Sequence, residues 1–348
     1  MTDEQIVRES ERLHDSLKHL GWTLEDCGVY APITLEIRNL AREKNAVILA
    51  HNYQTPDIIF GISDYRGDSL GLSEAARDTD ADVIVFCGVR FMAETAKILS
   101  PEKVVLHPAP DAGCSLSESI SAQDVRNLRT RYPDAAFVCY VNTMAEVKAE
   151  CDACCTSANA LAVVEAIDND TIVFLPDRHM AANLRKYTSK TILDYDGTCI
   201  VHDAFTYETA LTWKRMYPNA KLLVHTESHR KVVDIADLAG GTGDMVHYVK
   251  NSGAKQFMLV TECGLSDRLR VEFPEKEFLG TCSLCPHMKR VNLGNVLQAL
   301  KEPRDDQIVE IPEDIRQRAS RSITMMFDLT RKKVDPSRPH SNLGDLEQ

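Results

Sequence analysis

AVILAHNY, residues Ala46 to Tyr53, is an apolar run that ends on a histidine, an asparagine and a tyrosine. Such a run reads as a strand buried on both faces, as in a parallel sheet, with polar side chains delivered at its carboxyl end. The same design recurs at AFVCYVNT (Ala136 to Thr143) and KLLVHTES (Lys221 to Ser228). Each run is followed by a helix-like segment and a second apolar run: DVIVFCG (Asp82 to Gly88), TIVFLPD (Thr171 to Asp177) and KQFMLVTECG (Lys255 to Gly264). Each block closes on a loop cysteine: Cys114 in LHPAPDAGCSLSES, Cys199 in LDYDGTCIVHD and Cys285 in LGTCSLCPHMK. Cys114 to Cys199 is 85 residues and Cys199 to Cys285 is 86; His51 to Tyr140 is 89 and Tyr140 to His225 is 85. Two independent landmarks keep one period, so the chain repeats three times.

Strands alternating with helices place the chain in the α/β class. The expected architecture is three pseudo-threefold-related, three-layer α/β domains with small parallel sheets around a central active site. The repeats are expected at 46–125, 126–212 and 213–331, the last including C-terminal helices. N-terminal helices over 1–45 pack on the core, and 332–348 is a polar tail. In such sheets the functional groups gather beyond the carboxyl ends of the strands, where His51, Tyr53, Tyr140, Asn142, His225, Glu227 and the loop cysteines fall.

With 40 Lys+Arg against 52 Asp+Glu in 348 residues the formal charge is −12, which offers no footprint for a nucleic-acid polyanion. The start is acidic and polar, and no uninterrupted apolar stretch is long enough to span a membrane, so a cytoplasmic location is expected, with no nucleic-acid or membrane partner. A reducing compartment directs the 11 cysteines toward free thiols, redox groups or metal ligands. Cys87, Cys139 and Cys263 lie in strand-like runs and read as buried thiols, and Cys151, Cys154 and Cys155, without counterparts in the other repeats, read as packing. Three loop cysteines at equivalent positions suit a cluster better than a disulfide. A cubane held by three thiolates keeps one iron open as a Lewis acid. Pro286 after Cys285 and SLSES after Cys114 read as helix starts whose amides favour thiolate. Zinc is the alternative raised by Cys282-x-x-Cys285 and the Cys151 patch, but neither completes a ligand set.

Beside these features stand ordered motifs: AHNYQ (Ala50 to Gln54), GDSLGLS (Gly67 to Ser73), FCGVRFMAETAKIL (Phe86 to Leu99), AGCSL around Cys114, YVNT (Tyr140 to Thr143), CCTSANA (Cys154 to Ala160), FLPDRHMAANL (Phe174 to Leu184) and CPHMKRVNL (Cys285 to Leu293). On these, over about residues 30–330, the chain closely resembles the quinolinate synthase (quinolinate synthetase A) family of bacterial NAD biosynthesis. The resemblance implies a transferase-class condensation of iminoaspartate, delivered by an L-aspartate oxidase or dehydrogenase, with dihydroxyacetone phosphate to quinolinate, phosphate and water. It further implies a [4Fe-4S] cluster on Cys114, Cys199 and Cys285, with Cys282 a bystander, in a monomer or homodimer.

That chemistry needs proton carriers tunable toward neutrality. His51, Tyr53, His225 and Glu227 are the catalytic candidates, Glu227 foremost because desolvation in a closed pocket raises a carboxyl pKa. His225 and Glu227, two apart, share a strand face. For a substrate phosphate, Ser69, Ser157 and Thr242 lie in small-residue segments, as helix caps or anion donors. Tyr140 and Asn142 resemble the family's Tyr-x-Asn element that orients the dicarboxylate substrate; His51, His225 and Glu227 also line the substrate. Arg90, Lys97 and Lys289 read as salt-bridged or solvated. The chain departs from the family at His225-Thr226-Glu227-Ser228, against His-Pro-Glu-Cys, and at Gly240-Gly241-Thr242-Gly243, where Thr242 lacks its flanking serines. The competing readings are an iron–sulfur electron carrier, a binding protein for a phosphorylated metabolite, and a zinc hydrolase.

Overall fold

The computed structural model describes residues 2–280 and 282–332. The expected tail at 332–348 therefore lies, from 333 onward, outside the described residues. The chain forms two compact units interleaved in sequence. The first comprises Met1–Gly113, Glu262–Phe278 and Leu284–Glu310, and the second Cys114–Thr261, Leu279–Ser283 and Ile311–Gln348.

The first unit holds strands β1 (Ala46–His51), β2 (Tyr65–Gly67), β3 (Val83–Cys87) and β4 (Val104–Leu106), paired in parallel in the order β2-β1-β3-β4. The second unit holds β5 (Ala136–Tyr140), β6 (Ala153–Cys155), β7 (Thr171–Leu175) and β8 (Thr191–Asp194), in the order β6-β5-β7-β8. It also holds β9 (Lys221–His225) and β10 (Leu238–Gly240), which pair in parallel with each other, and the body of β11 (Gln256–Glu262), which pairs in parallel with β9. The mixed α/β fold with three small parallel sheets flanked by helices is the one expected from the sequence.

The apolar runs are the two central strands of each sheet, and the structure adds edge strands of three or four residues that the sequence reading did not contain. Segments that short carry no periodicity of their own. One edge in each sheet, β2, β6 and β10, is held by the same device. Asp64, Asp152 and Asp237 precede or begin the edge segments, and each carboxylate accepts from a backbone N–H of the central strand, at Ile48 (2.8 Å), Phe137 (2.7 Å) and Leu222 (2.9 Å). Each also donates its own N–H to the carbonyl of the same residue, at 2.9, 2.9 and 2.8 Å. An aspartate so placed does the work of a strand residue where the chain is turning.

Packing in the first unit is carried by Ile37, Ile48, Val85, Leu106, Val296 and Leu300, all buried, which join helices Leu24–Glu43 and Leu293–Lys301 to β1, β3 and β4. Each such side chain contributes about 1.5–3 kcal/mol by leaving water. Helix Leu24–Glu43 begins in a capping box between Thr23 and Asp26. In the second unit, helix Glu313–Lys332 brings Ser322 Oγ to 3.3 Å from Cys154 Sγ and buries Ala319, Ile323 and Met326.

Candidate functional site

The second unit gathers titratable side chains around Glu227, just beyond β9. Its Oε1 accepts the Tyr140 hydroxyl at 2.7 Å, and Oε2 lies 3.2 Å from His202 Nδ1. His202 Nε2 is 3.0 Å from Thr261 Oγ1, and the His202 ring stacks on that of His225 at 4.3 Å and 13°. His225 Nδ1 lies 3.6 Å from Glu227 Oε1 and accepts the Glu227 backbone N–H at 3.3 Å. All four side chains are buried. Three of them, Tyr140, His225 and Glu227, were expected from the sequence. His202 was missed, although Cys199-Ile200-Val201-His202 is a Cys-x-x-His spacing that could have flagged it.

Glu227 corrects an expectation. Burial does raise its pKa, but His202 and His225, with hydrogen bonds from His202 and Tyr140, outweigh burial and hold it down to about 2. His225 is itself pushed down to about 3, by burial first and then by His202, so at neutral pH it is a neutral ring whose Nδ1 accepts the Glu227 backbone N–H. The pair is therefore a carboxylate beside a neutral imidazole, which suits Glu227 to taking a proton more than to giving one. Asp177 shows the reverse. Burial, then the charge of Glu227, pushes it well above the usual carboxyl range; one oxygen accepts the Met180 N–H at 2.7 Å and Oδ2 has no partner. The sequence reading did not single out Asp177, although it closes the run TIVFLPD at the carboxyl end of a central strand.

Asn142 is half-buried, with Oδ1 lacking a partner, so its amide is left with acceptor capacity. Ser157 and Thr242 are drawn together through Gly241: a methyl group there would collide with Ser157 Oγ. Thr242 is buried and opens helix Thr242–Asn251, capped at Gly241 with φ −81° and ψ 179°. Ser69 opens helix Ser69–Asp78 in the first unit with the same cap dihedrals at Asp68. Neither residue is itself the cap, so both hydroxyls stand at helix N-termini where backbone amides favour anions. Ser157 precedes the cap Asn159 and lines, with Asn183, Thr226, Gly240 and Asp244, a small cavity.

In the first unit His51 and Tyr53 follow the pattern seen at His225 and Glu227. The Tyr53 N–H is donated to His51 Nδ1 at 3.3 Å, and the buried rings meet edge-on at 4.6 Å. Lys289 bonds the Tyr53 carbonyl and pairs with Glu262 at 3.0 Å. Arg90 pairs with Glu94 at 3.3 Å, and Lys97 donates to the Pro101 and Lys103 carbonyls. Arg90 and Lys289 are thus salt-bridged, and Lys97, expected to be salt-bridged or solvated, is held by backbone carbonyls.

Cys114 and Cys199 stand in the second unit and Cys285 in the first, all half-buried thiols. Ile200 N–H donates to Ser115 Oγ at 3.4 Å, tying the Cys114 and Cys199 loops. Burial raises the Cys199 thiol, then Glu227 and Cys114 raise it further, against backbone N–H groups of His202 and Val201 aimed at its sulfur. Burial likewise raises Cys285, against N–H groups of Met288 and His287. Its own N–H is donated to Glu262 Oε1 at 3.2 Å. Amide donors on the sulfur are what a cluster-ligating thiolate requires, and Cys199 and Cys285 each have a pair of them. The helix starts expected after Cys114 and Cys285 are single 3₁₀ turns, Ser117–Ser119 and Met288–Arg290, which end where Ile120 and Val291 return to extended backbone.

Cys87, Cys139, Cys151, Cys154 and Cys155 are buried free thiols, with Cys139 and Cys154 sulfurs 3.3 Å apart. Cys263 departs from expectation: it opens helix Cys263–Glu272, is half-buried, and is disulfide-bonded, as is Cys282. A strand-like run that turns into a helix at its last residues puts that sulfur outside the sheet.

The model of the family described as quinolinate synthetase A protein matches residues 35–328. Among curated relatives, the quinolinate synthase of Sinorhizobium fredii is 44% identical over 324 residues, 93% of this chain and 89% of that protein. Quinolinate synthase 1 of Mesorhizobium japonicum is 47% identical over 322 residues, covering 92% and 98%. The quinolinate synthase of Xylella fastidiosa is 49% identical over 274 residues, covering 79% and 81%. With the match spanning all three repeats, the chain belongs to the quinolinate synthase family.

Proposed function

We propose that the chain condenses iminoaspartate with dihydroxyacetone phosphate to quinolinate, phosphate and water, as a cytoplasmic transferase-class enzyme acting as a monomer or homodimer. An L-aspartate oxidase or dehydrogenase supplies the unstable imine. Cys114, Cys199 and Cys285 would hold a [4Fe-4S] cluster, which when bound supplies a Lewis-acidic iron with a position open to substrate oxygen. The observation that carries the reading is a buried carboxylate, Glu227, kept ionised by Tyr140 and His202 beside Cys199, in a chain of this family. Ring formation needs protons removed from carbon next to an imine or carbonyl, and Glu227 is the base for that task. His225, neutral at physiological pH, relays protons or orients substrate oxygen; His51 and Tyr53 serve the same end from the first unit. Tyr140 and Asn142 orient the dicarboxylate, and Ser69, Ser157 and Thr242, with helix N-terminal amides, take the phosphate.

The test is anaerobic purification, iron and sulfide analysis, and chromatographic detection of quinolinate. About four irons and four sulfides per chain are expected, with product from the two substrates. Glu227→Gln should keep the iron and lose about 10²- to 10⁴-fold in turnover. Iron-loaded protein inert toward both substrates together would overturn the reading; normal turnover in the variant would remove Glu227 from the mechanism.

A further inference from the structure

Cys199 Sγ, a ring nitrogen of His202 and a carboxylate oxygen of Glu227 all lie within 4.8 Å of one another. We infer that this trio is a binding site for a single divalent zinc-like cation, distinct in ligands from any three-cysteine cluster and competing with it for Cys199. Sulfur, imidazole and carboxylate together are the donor set of a borderline ion, and with bonds of about 2.0–2.3 Å a tetrahedral ion spaces its donors by about 3.3–3.8 Å. His202 Nδ1 and Glu227 Oε2, at 3.2 Å, lie just inside that spacing.

The surroundings complete the argument. Metal-ligating histidines are usually held through their other ring nitrogen, and ligating carboxylates through their other oxygen. Here His202 Nε2 meets Thr261 Oγ1 at 3.0 Å, and Glu227 Oε1 accepts the Tyr140 hydroxyl at 2.7 Å. Both outer partners are buried, as are His202 and Glu227. The ion replaces the Cys199 thiol proton, which leaves to solvent. A His202 proton shared with Glu227 moves to Nε2, where Thr261 accepts it. A dication with one thiolate and one carboxylate is neutral, which burial favours over the separate charges. Water takes the fourth position, and Cys114 and Cys285 play no part.

The test uses the full chain, freed of iron and kept reduced without thiols, titrated with Co²⁺ as a spectroscopic stand-in for Zn²⁺. One Co²⁺ per chain is expected, with the visible bands of four-coordinate cobalt and a near-ultraviolet sulfur-to-metal band of one-thiolate intensity, displaced by Zn²⁺. His202→Gln should abolish the bands, Thr261→Val should weaken affinity about 10- to 100-fold, and Cys114→Ala should leave both unchanged. Circular dichroism checks that each variant folds, and Thr261→Val serves if His202→Gln does not. Zinc loaded first should also block later iron uptake by the wild-type chain. The inference is overturned by absence of stoichiometric cobalt, by binding that survives both His202→Gln and Thr261→Val, or by bands of three-thiolate intensity lost in Cys114→Ala. None of these outcomes depends on quinolinate formation, so it fails or stands separately from the proposed function.

Discussion

Replacing Tyr140 by Phe deletes one oxygen and the 2.7 Å bond it donates to Glu227, in a place where both side chains are 3% exposed. A net hydrogen bond to a charged group contributes about 1.5–3 kcal/mol, against about 0.5–1.5 for a neutral pair. Tyr140→Phe should therefore destabilise the second unit by about 2 kcal/mol at pH 7, but by only about 1 kcal/mol in a Glu227→Gln background, a coupling of about 1 kcal/mol. Glu227 has a depressed folded pKa, about 2 against an ordinary 4.5. Its ionised contribution is thus complete above about 4.5 and is lost as pH falls from there through about 2. The Tyr140→Phe penalty should stay constant from pH 7 to about 4 and shrink only as pH falls toward about 2. The assay is urea unfolding of metal-free protein followed by Trp213 fluorescence, with Trp22→Phe so that the one remaining tryptophan belongs to the second unit. An equal penalty in both backgrounds, or one indifferent to pH, would refute a charge-assisted bond to an ionised Glu227.

Other outcomes follow from the same contacts. Ala at Cys114, Cys199 or Cys285 should each abolish iron retention after anaerobic reconstitution, whereas Cys282→Ala should leave it intact; a bleached Cys282 variant would change the ligand choice. Gly241→Ala puts a methyl group against Ser157 Oγ, at an overpacking cost of about 1–3 kcal/mol, and should raise KM for the phosphorylated substrate at least tenfold without touching iron content. An unchanged KM would take the Ser157–Thr242 corner out of phosphate binding. Glu262→Gln removes the acceptor charge shared by Lys289 and the Cys285 amide, and should destabilise the first unit by about 1–3 kcal/mol in urea.

Much of this was legible from short-range pattern. Each central strand announces itself because a strand buried on both faces must be continuously apolar, and the polar residues that end it fall at the sheet's carboxyl edge. His51, Tyr140, His225 and Glu227 could be picked out for that reason alone, and the loop cysteines by their common period. The edge strands could not, since three or four residues carry no period and the pairing of β2, β6 and β10 depends on Asp64, Asp152 and Asp237 reaching a neighbouring strand.

The sequence by itself determined the repeat, the parallel sheets and the side chains at the strand ends, because these follow from the local alternation of apolar and polar residues. Only the tertiary structure decided what those side chains are chemically. Tyr140 reaches Glu227 across 87 positions of chain and His202 across 25. These contacts, absent from any local pattern, turn a carboxyl that burial would have kept protonated into a carboxylate. They also make His202, Thr261 and Asp177 part of the site. The charge state of a buried group is a sum over its neighbours in space, and that sum exists only once the chain has folded.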